Sequence, residues 1–511
     1  MGLLRKYILL LVVFVTGASV LIVEVVAVRI LSPYFGNTIF TVSSVIGVIL
    51  AALSFGYYLG GKIADRHPSL KWFFGIIFVS GLSILTLQLL STVVLPSLGY
   101  GLSIVSGPLV SAVVLFFLPA LLLGTLSPFA IKLQTLRLPS DGIGSVAGGV
   151  FFWSTFGSIF GSLFAGFVLI PHFGINQIVI TVGSLLTVMG LFSLIWLRAE
   201  KKAINKSLFV SALVVIPTLI FSYQESTENI VYSRDGVYEK ITIYDRQYSG
   251  RPTRFFRQDR SSSGAMYLDC EELVFEYTEY YVLYKILKPQ IRETLVIGGG
   301  AYSIAKALLN ESPEVKVDVS EIEPSLFELS KKYFNVPDDP RLKNYVEDGR
   351  RLLYKTEKQY DLIFSDVYYS LLSVPAHFTT EEFFRIAQNK LSKDGVFIAN
   401  LVGSLSSQPP SLIFSEIRTF KSVFPNSYFF AVKSPRSSRP QNIVLVGYNS
   451  DKKIDFKNQE IREHENPLIR TLWQKIISID RFDLSQYPKL TDNFCPVEYL
   501  TARVLRRSFA E

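Results

Sequence analysis

Three carboxylates and a run of three glycines carry most of the chemistry this sequence offers. Gly298-Gly299-Gly300 closes the apolar run Glu293–Ile297 and precedes a helical pattern. Glycines at such a point allow a tight turn and let a ligand approach the backbone closely. Glu321 stands 21 residues after Gly300, at the end of the apolar run Val315–Val319. An acid in that position accepts both hydroxyls of a ribose in dinucleotide sites. Asp348, followed by Gly349, ends a third run and is suited to contact the exocyclic nitrogen of adenine; Asp366 ends a fourth. One such acid alone reads as a solvated loop residue, but three at successive run ends beside a triglycine point to a nucleoside ligand. The loop does not separate a dinucleotide from an adenosyl compound. No GxxxxGK[ST] pattern occurs to cradle a triphosphate.

The segments around these residues alternate between strand and helix patterns. Glu293–Ile297, Val315–Val319, Leu342–Val346, Tyr360–Phe364 and Val396–Asn400 read as strands. Ser303–Leu309, Ser325–Tyr333, Arg350–Tyr354 and Glu381–Lys390 read as the helices between them. Buried parallel strands with helical crossovers predict a doubly wound sheet with its ligand at the strand C-termini. Leu412–Phe424 reads as a further helix. Tyr428–Val432 and Asn442–Val446 then predict an antiparallel hairpin on the sheet edge. Ahead of the sheet, Val237–Tyr244 and Ala265–Asp269 read as strands separated by the polar segment Arg246–Gly264. Phe275–Leu287 has a helical pattern, and the tail from Asp483 is expected to return over the domain.

The other half of the chain is of a different kind. The 511 residues have a mean hydropathy of +0.33 and carry a net charge of +8. Residues 1–222 hold 12 Lys and Arg against 4 Asp and Glu, and the remainder hold 39 of each. With no cationic excess in the soluble part, a nucleic-acid binder is disfavoured. Six apolar stretches, at about 8–31, 38–61, 72–95, 109–131, 143–170 and 174–197, are long enough to cross a hydrocarbon core of roughly 30 Å. The first is longer than the apolar core of a signal peptide. Lys and Arg are confined to alternate loops, which puts the N-terminus in the cytoplasm. Ser207–Tyr223 either spans, lies at the interface or re-enters, and the side of the C-terminal part turns on which. Gly56, Gly60, Gly157, Gly161 and Gly166 predict close helix packing. Glu24 predicts a polar pair or a polar site inside the bundle. Two cysteines, Cys270 and Cys495, and four scattered histidines support neither a disulfide scaffold nor a metal site.

The runs LVIGGGAYSIAKALL, VDVSEIEPSLFELSKKYF, YVEDGRRLL and YDLIFSDVYYSLLSVPAHFTTEEFF, in this order, resemble the spermidine/spermine synthase (polyamine aminopropyltransferase) family. GASVLIVEVVAVRILSPYFGNT, FGYYLGGKIADR, GAMYLDCEELVFEYTEYY and LTDNFCPVEYL are similar to its membrane-fused bacterial members. The resemblance implies a polytopic helical membrane domain (1–222), a small β element with a lead-in helix (223–290), a class I S-adenosylmethionine-methyltransferase-like α/β domain (291–450) and a C-terminal extension (451–511). It implies decarboxylated S-adenosylmethionine as co-substrate, with no tightly bound cofactor, and a polyamine acceptor. A homodimer through the synthase-like domain is a further expectation. Carried onto this chain, the donor residues are Gly298, Gly299, Gly300, Glu321, Asp348 and Gly349. Asp366 is the first acid of the family's catalytic Asp-x-x-Asp loop.

Departures fall on the acceptor side. The Asp that usually follows the triglycine is Ala301, and the second loop acid is Tyr369. A polycationic acceptor needs carboxylates to hold it and a base to free one nitrogen. Tyr368 and Tyr369 are candidate orienting groups, and His377 is better tuned for proton transfer near neutrality. Its plain reading is a loop-capping residue before the helix start at Thr379-Thr380. Asp269 and Glu279 are the remaining acids expected to face a cation. Three functions follow: an aminopropyltransferase, a related methyltransferase, or a membrane sensor, transporter or scaffold that binds without turnover.

Overall fold

The computed structural model describes residues 2–103, 105–138, 142–197, 211, 214–215, 229–259, 261–368, 374–450 and 453–510. The chain divides into two compact units, Met1–Thr227 and Glu228–Glu511.

The first unit is that of a multi-pass membrane protein. Among the described residues it has six long apolar helices, α1 (Tyr7–Phe35), α2 (Ile39–Arg66), α3 (Leu70–Val93), α4 (Gly107–Arg137), α5 (Ile143–His172) and α6 (Ile175–Trp196). Helical hydrogen bonding satisfies the backbone within each segment, as a hydrocarbon solvent requires. Thr38 and Ser69 cap α2 and α3 by accepting from the amides of Thr41 and Trp72. Large rings such as Phe152 and Phe167 face outward, 61% and 78% exposed. In water that exposure is costly; against lipid it is not. Small residues draw the helices together. A Cβ on Gly157 or Gly161 of α5 would run into the Phe14 or Ala18 carbonyl of α1, and one on Gly56 or Gly60 of α2 into the Leu121 or Thr125 carbonyl of α4. Gly166 differs from expectation: a Cβ there meets nothing within 4 Å. Glu24 is half-buried on α1. Ser207–Tyr223 lies for the most part outside the described residues.

The second unit starts with a four-stranded antiparallel meander, β1 (Asn229–Asp235), β2 (Lys240–Tyr248), β3 (Arg251–Gln258) and β4 (Ser261–Tyr267). The polar stretch read as a connection therefore holds β3. Its charges are accommodated across the ladder: Arg254 stands directly opposite Asp245 and forks onto both carboxylate oxygens at 2.8 Å. Phe255 and Phe256 are buried. The expected helix over 275–287 is a 3₁₀ helix (Glu276–Leu283) followed by one α turn (Tyr284–Leu287). Three residues per turn put Tyr277, Tyr280 and Leu283 in one row; Tyr280 and Leu283 enter the core.

The main sheet has seven strands: β5 (Glu293–Ile297), β6 (Lys316–Ser320), β7 (Leu342–Tyr345), β8 (Tyr360–Ser365), β9 (Leu391–Gly403), β10 (Ser427–Ala431) and β11 (Gln441–Tyr448). Their order is β10-β11-β9-β8-β5-β6-β7; β5 to β9 run parallel, and β10 and β11 form an antiparallel hairpin at one edge. Alternation along each strand feeds two cores. Val296, Val317, Val319 and Phe364 pack with α7 (Ser303–Glu311) and α8 (Leu326–Phe334). Leu295, Ile297, Ile363 and Phe397 pack with α9 (Gly349–Lys355), α10 (Glu381–Asn389) and α11 (Leu412–Val423). This is a Rossmann-like, methyltransferase-type fold. The tail returns over it: Tyr487 donates to the Ser407 carbonyl at 2.6 Å, and Asp492 receives both guanidinium nitrogens of Arg350.

Candidate functional site

The parallel strands deliver their C-termini to one cleft of ≈ 380 Å³, closed on the far side by β4 and the 3₁₀ segment. The turn after β5 sets its floor. Gly298 and Gly300 have φ of +92° and +52°, where a side chain is strained. A Cβ at Gly298 would also strike the Asp366 carbonyl. Tyr302 has φ +55° without being glycine, a conformation costing about 1–2 kcal/mol. Its phenol donates to Asn344 Oδ1 at 2.7 Å, and its ring sits under Gly299. Ala301 is buried and packs directly against Gly264 of β4.

After β6 and β7, backbone amides take part in holding the acids. Glu321, 6% exposed, accepts from Gly299 N through Oε2 and from Glu323 N through Oε1, both at 2.8 Å. Burial raises its pKa, against the opposing pull of those amides. Asp348 caps α9 by accepting from Arg351 N at 3.0 Å. Its other oxygen meets His377 Nε2 at 2.9 Å. Burial pushes this carboxyl up, but His377 and the amide outweigh it and leave the pKa below the ordinary value. Gly349 is required beside it, because a Cβ would enter Ile297.

On the other side, side chains hold the acid. Asp366 Oδ2 accepts from the Tyr277 phenol at 2.8 Å and Oδ1 from Asn400 Nδ2 at 2.9 Å. Asn442 Nδ2 donates to Asn400 Oδ1 at 3.0 Å, which orients the Asn400 amide with its NH₂ toward Asp366. Burial raises the Asp366 pKa despite these bonds. Burial and the charge of Asp366 hold the phenols of Tyr277 and Tyr368 well above their ordinary range, so both remain protonated donors near neutrality. Tyr368 donates to the Asn400 carbonyl at 3.2 Å. Lys433, also at the cleft, is paired with Glu276.

The structure thus brings Gly298–Gly300, Glu321, Asp348, Gly349, Asp366 and Tyr368 to one cleft. It puts His377 on Asp348, with its side chain 42% exposed and off the cleft lining. Asp269 is 43% exposed and paired with Arg251, and Glu279 is exposed; neither lines the cleft. Tyr369 lies outside the described residues. Sequence reading missed Tyr277, Asn400, Asn442 and Glu323. Asn400 carried a signal, since it ends the run VFIAN. Asn442 carried none, because it reaches the site only through the antiparallel pairing of β11 with β9.

Residues 275–458 match the spermine/spermidine synthase domain family. A polyamine aminopropyltransferase of Vibrio vulnificus is 22% identical over 58% of this chain and 99% of its own length. Polyamine aminopropyltransferase 2 of Aquifex aeolicus is 22% identical over 88% of this chain and 89% of its own, membrane-type region included in the span of the match. A probable spermidine synthase from Corynebacterium glutamicum, of known structure, has 22% identity and a TM-score of 0.40 over 46% of this chain and 88% of that one. An eEF1A lysine and N-terminal methyltransferase of Xenopus laevis is 29% identical over 35% of this chain and 26% of its own. The chain is a distant relative of the polyamine aminopropyltransferases, carrying a multi-helix membrane region ahead of an S-adenosylmethionine-related transferase fold.

Proposed function

We propose that the protein is a membrane-bound transferase that takes an aminopropyl group from decarboxylated S-adenosylmethionine to an amine of the polyamine class. The observation that carries the reading is Asp366, a carboxylate at the end of β8 held by two neutral donors and facing the cleft. In this scheme Glu321 accepts the ribose hydroxyls and Asp348 the adenine amino group. The amine lone pair attacks the methylene next to the sulfonium, the carbon–sulfur bond breaks and its electrons return to sulfur, releasing methylthioadenosine. The nitrogen's surplus proton passes to Asp366, for which a raised pKa is suitable. Tyr277 and Asn400 orient that carboxylate, and Tyr368 stiffens the Asn400 backbone.

Charge supports the decarboxylated donor over ordinary S-adenosylmethionine. The latter brings a carboxylate, and among the described lining residues the single Lys or Arg, Lys433, is already engaged by Glu276. Methyl transfer to another acceptor is the second reading, supported by the likeness to the Xenopus methyltransferase. Calorimetry on full-length protein in detergent decides between them, titrating both donors and methylthioadenosine with and without putrescine. Selective binding of the decarboxylated donor, strengthened by putrescine, is expected. Preference for S-adenosylmethionine favours methyl transfer, and no binding removes the donor site. Because that donor is made in the cytoplasm, the reading also requires residue 230 to be cytoplasmic, which protease protection measures.

A further inference from the structure

Glu323 is the second acid of the Glu321-Ile322-Glu323 strand end, and the transfer chemistry above gives it no task. It is 3% exposed and lines the cleft beside Glu321. Its carboxylate reaches away from the main sheet to the small one. Oε2 accepts from Val237 N at 2.9 Å and from Tyr238 N at 3.3 Å, and Oε1 accepts from the Ser325 hydroxyl at 2.8 Å. Val237 and Tyr238 form the turn between β1 and β2, which Gly236 N closes on the Glu239 carbonyl at 2.9 Å. The fit is close: a Cβ on Gly236 would stand 2.8 Å from both Glu323 Oε2 and the Glu239 carbonyl oxygen. At the other end, Glu323 N fixes Glu321 Oε1, whose second oxygen holds Gly299. One unbroken set of bonds therefore runs from the small sheet's turn through Glu323 and Glu321 to the glycine loop.

We propose that Glu323 is a positioning residue of the donor site: it latches the β1–β2 turn onto the strand end that carries Glu321, and so sets Glu321 and Tyr238 against the bound nucleoside. Two features favour a latch over a direct ligand contact. Three protein donors occupy its two oxygens, which leaves at most one of about four acceptor positions to meet a substrate cation. The turn it holds carries Tyr238, 41% exposed and lining the same cleft. A bond between the two sheets thus becomes a determinant of nucleoside affinity. The proposal rests on the nucleoside reading of this cleft.

The test is methylthioadenosine binding by calorimetry to the full-length protein in detergent, paired with hydrogen exchange of segments 236–239 and 298–301. Glu323→Ala is expected to weaken binding by about tenfold or more, the loss of charge-assisted bonds, and to speed exchange in both segments. Glu323→Gln keeps an acceptor for the two amides and is expected to stay within about threefold. Gly236→Ala attacks the same contact from the opposite side. Combined with Glu323→Ala it should add little, because both break one latch. Glu323→Ala binding within about twofold of the parent, with both segments still protected, overturns the latch while leaving the donor site intact. Equal losses in the Gln and Ala variants overturn it in favour of a direct charge contact, and additive losses from positions 236 and 323 overturn it as well. A parent protein that binds no methylthioadenosine removes the nucleoside reading and this role together.

Discussion

The two sides of the cleft hold their carboxylates by different means. Glu321 is met by backbone amides of its own and the adjacent loop, and Asp348 by one amide of its own loop and the His377 ring. Among the described residues Asp366 is met by side chains, Tyr277 from 89 positions upstream and Asn400 from 34 downstream, the latter set by Asn442. Amides come from the local turn itself, so that hold depends on the few residues that shape the turn, Gly298, Gly300 and Gly349 among them. A side-chain clamp fails when any one member changes. A clamp of this kind therefore depends on more of the chain than a hold by local amides does.

The largest effect expected from this contrast is at Asp366. In the proposed mechanism Asp366→Asn removes the proton acceptor and should lower turnover about 10²–10⁴-fold with methylthioadenosine affinity nearly unchanged; release of methylthioadenosine measures the first and calorimetry the second. Equal losses in both would erase the division between the two sides. Next is Glu321→Gln, which should weaken methylthioadenosine binding about tenfold or more, since bonds to a charged group are worth roughly 1.5–3 kcal/mol.

Tyr277→Phe sharpens the comparison further. Activity that needs ionised Asp366 rises as pH climbs through its raised pKa. Removing the phenol takes away a bond that lowers that pKa. The acid limb of the kcat/KM profile should thus move to higher pH, with a loss of about tenfold at neutrality. An unmoved limb would show that Tyr277 does not act on Asp366. The smallest effect belongs to the Asp348–His377 pair. The folded-state pKa of Asp348 lies below the ordinary value of ~3.9. Its stabilisation is therefore present above that value and is lost as pH falls through the folded one. His377→Ala should cost only about 0.5–1 kcal/mol at neutral pH, given the solvent exposure of the ring, and should flatten acid unfolding between pH ~4 and the lower folded value. Denaturant melts across that window measure it.

What could be read from the sequence and what could not divide along the same line. A parallel strand must end somewhere, and in a doubly wound sheet all such ends face one crevice. The residues closing LVI, VDV, NYV and LIFS thus betrayed the glycine loop, Glu321, Asp348 and Asp366 without any knowledge of contacts. Apolar length similarly disclosed the six membrane helices, because a hydrocarbon layer sets a minimum run. Strand β3 was hidden because its polarity is compensated across the ladder, Arg254 against Asp245, and a period-two reading of one segment cannot see its partner. His377 looked like a base by side-chain type, but its position on Asp348 depends on how the 376–378 turn packs.

Sequence by itself determined the order of elements, the split between an apolar half and a balanced one, and the loop acids Glu321 and Asp348 at the strand ends. These are local quantities, fixed by runs of about 5 to 30 residues and by what each run must bury or satisfy. Only the tertiary structure decided which neutral side chains clamp Asp366 and where the small sheet's turn meets Glu323. Those partners lie tens of residues apart in the chain, from 34 to 89, and each alone is an ordinary Tyr, Asn, Val or Glu. Their selection rests on strand register and on the burial that makes an unpaired polar group too costly to leave.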